Sequence, residues 1–170
     1  YPKVYAPQSK SVWALRAAGF GVLSNIKGDK KTIEFVEDTA VDLPDLPAYI
    51  EEFAELMKQF DQKVVYYAHA GAGELHLRPS VNLKSKEGVA EMRAIAEASA
   101  HLVKKYQGSL SGEHGDGRVR GEFIPLMIGE NNYQILRRIK QTWDPQHIFN
   151  PGKIVDAPPM DTSLRHEQDE

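Results

Sequence analysis

Two stretches with apolar residues at helical spacing bracket a pair of β-forming runs. That arrangement limits the chain to folds in which helices cover a sheet. The first stretch opens at Pro44 and reaches about Phe60. Its Leu46, Tyr49, Ile50, Phe53, Leu56 and Met57 recur at threes and fours. The second covers about 86–106 and sets Val89, Met92, Ile95, Ala96, Ser99, Leu102 and Val103 on one stripe. Between them lie two β-rich runs, 63–69 and 74–79, joined by a glycine turn. A further strand is expected over 32–38 and a short one over 108–112. The order is then β-α-β-β-α-β. This predicts an α+β, ferredoxin-like split-βαβ fold, with an antiparallel sheet and two long helices on one face. Extra C-terminal helices are expected over 123–128 and 133–143.

The flanks are less regular. Residues 1–10 carry two prolines and no period, and read as a linker. Ser11 is a plausible N-cap for a helix that Gly19 and Gly21 would stop. Pro151 and Gly152 close the structured part. Residues 156–170 hold five acids and one arginine and read as a flexible acidic tail, leaving 11–155 as the domain.

Composition narrows the chemistry. At 170 residues there is room for one domain. A net charge of −3 argues against a general binder of nucleic-acid backbones. Cysteine is absent, which excludes disulfides, thiolate-bound zinc, iron–sulfur ligation and a thiol nucleophile within these residues. No apolar run approaches the ~20 residues of a membrane span, and the start lacks the apolar core of a signal peptide.

Four of the six histidines lie between positions 69 and 114. If the strands pair as a hairpin closed by residues 71–74, Ala70 faces Leu75 and His69 faces His76. Their Cβ atoms would then be ~5 Å apart on one face, close enough to share a divalent metal. The plainer reading makes both histidines polar members of a half-exposed sheet. A second constellation is Ser111-Gly112-Glu113-His114-Gly115-Asp116-Gly117. Here Glu113 could complete a His₂-carboxylate metal set, and His114 could serve as a general base. The alternative is a surface turn. Asn150-Pro151-Gly152 is a turn signal by itself. His101, His147 and His166 read as structural or solvated. No phosphate loop, dinucleotide fingerprint or nucleophile elbow is present.

Three motifs in order, His-Ala-Gly-Ala-Gly-Glu-Leu-His at 69–76, Ser-Gly-Glu-His-Gly-Asp-Gly at 111–117 and Phe-Asn-Pro-Gly-Lys at 149–153, resemble the C-terminal domain of FAD-linked oxidases. That group includes D-lactate dehydrogenases, the glycolate oxidase flavoprotein subunit and D-2-hydroxyglutarate dehydrogenases. Glu37-Asp38-Thr39-Ala40-Val41 and Trp13-Ala14-Leu15-Arg16 fit the same picture, which covers about residues 10–156. It looks closest to the large bacterial members that fuse an FAD module to an iron–sulfur module.

The resemblance implies a ferredoxin-like cap over the flavin ring. The rest of the FAD would be held by a separate module of the same parent chain, of which these residues would be an excised middle piece. It implies oxidation of a small D-2-hydroxy acid to the 2-oxo acid by a cytoplasmic enzyme or one peripheral to the inner membrane. His69, His76 and Glu113 would bind zinc or a similar ion. His114 would be the catalytic base and Arg16 the group for the substrate carboxylate. Asn150, Glu113 and Gly115 would lie against the cofactor. An iron–sulfur cluster would belong to another module of the parent. Hydroxyglutarate-oxidising relatives carry threonine where Phe20 stands and lysine where Val36 stands. The usual Asp and Asn of the first motif are Ala72 and Glu74 here. The rival reading is a self-contained metal-dependent hydrolase, or a metal-binding module, using His69, His76 and Glu113.

Overall fold

The computed structural model describes residue 3 and residues 5–165. Helix α1 spans Gln8–Ser24. Short strand β1, Lys31–Thr32, precedes β2, Val36–Ala40, and α2 covers Leu46–Gln59. Strands β3, Val65–His69, and β4, Glu74–Arg78, form a hairpin, and β5, Ser80–Val81, follows. Helix α3 runs over Lys86–Lys105, α4 over Ile124–Ile128 and α5 over Glu130–Trp143.

Local chemistry sets the long helices. Asp42 accepts the Leu43 N–H at 2.8 Å and starts a 3₁₀ turn that leads into α2. Along α2, Tyr49, Phe53 and Met57 are buried at four-residue intervals. Ser85 caps α3 by accepting the Gly88 N–H at 3.1 Å, with Glu87 in the first turn and Lys104 and Lys105 in the last. A Cβ at Gly88 would lie 1.9 Å from the Asn82 carbonyl oxygen, so the α3 entry requires glycine.

The main sheet is antiparallel in the order β2-β4-β3. Ser109 adds a single bridge to Ala40 on the far side of β2. The central strand β4 is buried at all five positions because both of its faces are covered. Leu75 and Leu77 join Tyr49, Phe53, Ile95 and Val103 in the core beneath α2 and α3. Strand alternation sends Glu74, His76 and Arg78 to the opposite face, where the candidate site forms. The core also takes in one polar pair, with the Tyr49 hydroxyl donating to Thr39 Oγ1 at 3.0 Å.

The structure corrects several expectations. Helix α1 begins at Gln8 and passes through Gly19 and Gly21. Interior glycines cost a helix roughly 1 kcal/mol each but end it only where the backbone turns left-handed. The strand expected over 32–38 is two strands with different partners. Pro79 separates β4 from β5 and has no N–H to donate, so β2 pairs with β4 and β1 with β5. The segment 108–112 contributes a bridge, not a strand.

The acidic tail does not leave the body at 155. Met160 is 5% exposed, its N–H donates to Glu122 Oε1 at 2.7 Å, and Leu164 packs against the core. Proline and acid content hid these two apolar anchors. His166 and the rest of the tail lie outside the described residues. Met160→Ala is expected to lower stability by about 2 kcal/mol, seen as a lower urea midpoint at unchanged slope; a tail hanging free would show no change.

Candidate functional site

The hairpin registers His69 with Glu74, Ala68 with Leu75 and Tyr67 with His76. The expected pairs, His69 with His76 and Ala70 with Leu75, are therefore two residues off. The loop is a 3₁₀ turn at Ala70–Ala72 closed by Gly73, whose φ is 72°. A Cβ there would lie 2.1 Å from the Val41 carbonyl oxygen. A slip of two leaves every side chain on its original face. His69 and His76 therefore still share a surface, with ring centroids 5.0 Å apart.

His76 is buried on the central strand, and its Nδ1 lies 2.7 Å from the Glu37 carbonyl oxygen. A carbonyl only accepts, so Nδ1 carries the proton and donates it. That leaves the lone pair on Nε2, the nitrogen turned toward Glu113.

The 111–114 corner is brought to the hairpin by Asp38. This carboxylate is fully buried on β2. Its Oδ1 accepts the Glu113 N–H at 3.1 Å, and its Oδ2 accepts the His114 N–H at 2.9 Å and the Ser111 hydroxyl at 2.6 Å. The Asp38 carbonyl accepts the Gly112 N–H at 2.7 Å. Burial pushes the carboxyl up, but the Ser111 hydroxyl and the two N–H donors outweigh it and hold it at about 2. Glu74 lies alongside and is pushed the other way, first by burial, then by its hydrogen bond to Asp38 and the Glu113 charge.

Glu113 Oε1 sits 3.4 Å from His69 Nε2, 4.0 Å from His76 Nε2 and 3.4 Å from His114 Nε2. One ligand atom from each of His69, His76 and Glu113 falls within 4.8 Å of the others. Two imidazole nitrogens and one carboxylate oxygen suit a divalent ion with a position left open. The His76 bond to Glu37 is the outer contact such a site uses to aim its ligand. The donor set therefore fits a metal. His114 is half-exposed and its ring stacks on His76, 5.7 Å away at 15°.

Tyr67 links this cluster to α1. Its ring lies 4.9 Å from that of His76, with the Arg16 guanidinium 5.6 Å and the Arg78 guanidinium 5.3 Å from its centroid. Arg78 also pairs with Glu34 at 2.9 Å and Glu37 at 2.5 Å. Burial pushes the Glu37 carboxyl up while Arg78 pulls it back. A cavity of about 590 Å³ opens between α1 and β3, lined by Leu15, Arg16, Val22, Val65, Tyr66 and Tyr67.

The structure thus gathers His69, His76, Glu113 and His114, and places Arg16 beside Tyr67 at their edge. Gly115 takes φ 82° with open space over it, so a flat ligand can approach. Asn150 is exposed on the turn after α5 at φ 47°, with no hydrogen bond or ion pair to the cluster among the described residues. Its turn is pinned by Asp144, which accepts the Ile148 and Phe149 N–H groups at 2.9 and 3.0 Å. Sequence reasoning missed Asp38, Glu37 and Tyr67 as site-building residues. The signal available was two adjacent acids inside a β-rich run, since a carboxylate buried in a strand demands donors.

Residues 5–154 match the family model described as FAD linked oxidases, C-terminal domain, and the chain belongs to that family. It is 39% identical to the D-2-hydroxyglutarate dehydrogenase of Pseudomonas putida over 143 residues, which are 84% of this chain and 14% of the relative. The enzyme of the same name from Haemophilus influenzae is 39% identical over 156 residues, 92% of this chain and 15% of that protein. The D-lactate dehydrogenase of Archaeoglobus fulgidus is 30% identical over 129 residues, 76% of this chain and 28% of that protein. The chain therefore spans only a small part of these relatives.

Because folding lowers the Asp38 pKa, its contribution to stability is complete above the ordinary carboxylate value of about 3.9 and is lost as pH falls toward about 2. Asp38→Asn is expected to cost about 2 kcal/mol near neutral pH and to flatten the stability profile between about pH 4 and 2. Denaturant unfolding across that range checks both. A slope unchanged by the substitution would contradict the assignment.

Proposed function

We propose that this chain is the substrate-side cap of an FAD-dependent enzyme that oxidises a D-2-hydroxy acid to the 2-oxo acid. The observation that carries this reading is the convergence of His69, His76 and Glu113 ligand atoms within 4.8 Å, with His114 Nε2 3.4 Å from the same carboxylate. Family membership and the hydroxy-acid dehydrogenase names of the relatives support the reaction class. Arg16 offers a forked pair of donors to a substrate carboxylate, at the mouth of the cavity beside Tyr67. His69, His76 and Glu113 would hold a divalent ion. When bound, that ion would supply Lewis acidity toward the substrate hydroxyl, and the flavin would supply the two-electron oxidant.

The chain's own residues do the rest. His114 takes the hydroxyl proton at Nε2, the nitrogen that faces the ligand cluster. Gly115, with open space over it, would lie toward the flavin, as the family resemblance also implies for Asn150, and the nucleotide end of the flavin would be held by another module of the parent chain. Trp13 and Leu15 on α1 and Trp143 and Phe149 around the end of α5 are all more than half exposed, apolar area that suits contact with such a module. The sequence Ser109 segment, β2, β4, β3 across the sheet, with α2 and α3 over one face, supports the ferredoxin-like arrangement.

In the full-length parent enzyme, His114→Ala is expected to slow bleaching of the flavin by the hydroxy acid by ~10²–10⁴-fold while the yellow FAD stays bound. Bleaching at an unchanged rate would remove His114 from this role. The isolated chain, purified with excess FAD, is expected to be colourless and to hydrolyse no generic ester; ester hydrolysis lost on chelation would favour a self-contained metal hydrolase instead.

A further inference from the structure

Two guanidinium groups flank one tyrosine ring. The Arg16 and Arg78 guanidinium carbons lie 5.6 and 5.3 Å from the Tyr67 ring centre, so at most about twice that distance divides them. Arg16 reaches in from the exposed helix α1 and lines the cavity beside β3. Arg78 comes from the other side. It stands across the ladder from Val65, which lines the same cavity.

The Arg78 side chain is 6% exposed, so its charge must be answered by anions. Two carboxylates do this, and they differ in kind. Glu37 meets Nη2 at 2.5 Å and is 7% exposed. Glu34 meets Nη1 at 2.9 Å and is 43% exposed. Glu37 is fixed, because turning away would strand a buried charge. Glu34 stands in the bend between β1 and β2 and can rotate into water at little cost. An incoming carboxylate that replaces it exchanges one anion for another, and the guanidinium is never left bare.

We propose that Arg78 determines substrate specificity by taking the second carboxylate of a dicarboxylic D-2-hydroxy acid, with Glu34 holding that place until the substrate arrives. The proposal rests on the reading of Arg16 as the group for the first carboxylate. A carboxylate docked on a guanidinium fork sets its carbon ~4 Å from the guanidinium carbon. Within the span around Tyr67 that leaves a short bridge, which the chain of a dicarboxylate of about four or five carbons supplies. The Tyr67 ring gives its methylene groups an apolar wall. A hydroxy acid of the same length with an apolar end cannot displace Glu34, so it gains nothing from Arg78.

The test uses the full-length parent enzyme with its FAD. D-2-hydroxyglutarate and D-2-hydroxypentanoate have the same chain length and differ by one carboxylate. The rate of flavin bleaching against concentration gives kcat/KM for each. The diacid is expected to be preferred by ~10–100-fold, the range for a hydrogen-bonded charge. In Arg78→Lys the single ammonium stays with Glu37 and offers no second arm, so the preference is expected to fall by ~10-fold. Glu34→Gln, at an exposed position, removes the competing anion. It is expected to raise the preference severalfold through a lower KM for the diacid.

Equal use of the two acids by the unsubstituted enzyme would overturn the proposal, as would a preference that survives Arg78→Lys. If that variant fails to fold, Glu34→Gln decides, since a preference that falls or stays level there would make Glu34 an ordinary ion-pair partner. Bleaching by neither acid would defeat the reading of the chain as part of a hydroxy-acid oxidising enzyme, and this proposal with it. Bleaching by both alike would defeat the specificity role alone.

Discussion

A carboxylate with no solvent exposure survives as a charge only if the chain brings donors to it. Asp38 is such a group, and three of its donors come from residues about 75 positions further on. The Ser111 hydroxyl and the Glu113 and His114 N–H groups close on it. That arrangement fixes the backbone of the two residues whose side chains must meet the hairpin. Without it, Glu113 and His114 would sit on a glycine-flanked loop with nothing to choose their direction. The charge at the bottom of the site is thus structural, and the groups above it are placed by it.

Strand alternation does the complementary work. The central strand sends Leu75 and Leu77 into the core under the helices and Glu74, His76 and Arg78 to the other face. Stability and chemistry therefore use opposite sides of the same five residues. The helical side is apolar and close-packed. The site side is held by hydrogen bonds and ion pairs, from the Glu37 carbonyl on His76 to the Arg78 pairs with Glu34 and Glu37. Tyr67, opposite His76 in the ladder, carries the arrangement outward to Arg16 on α1.

Much of this was legible in the residues. Threes and fours placed α2 and α3, and β-rich runs around a glycine turn placed the hairpin. The register was missed by two because Ala70-Gly71-Ala72-Gly73 offers several turns of similar length, and only contact with Val41 selects one. The shared face of His69 and His76 survived because side-chain direction repeats every two residues. Asp38 and Glu37 were only faintly legible as organisers, since two adjacent acids in a β-rich run suggest burial without saying what they bind. Their donors are distant in sequence. The extent of α1 and the Met160 anchor were missed for a related reason. Glycine and proline report what the backbone can do, whereas packing decides what it does.

The central claim is that residues from three distant segments form one ligand set. Titration of the chain with cobalt(II), followed by visible absorption and by the histidine NMR signals, tests it most directly. One equivalent should give the absorption of a four- or five-coordinate ion and perturb His69, His76 and His114 together, leaving His101 and His147 unmoved. Binding that spares His69 and His76, or that perturbs the remote histidines equally, would contradict the account.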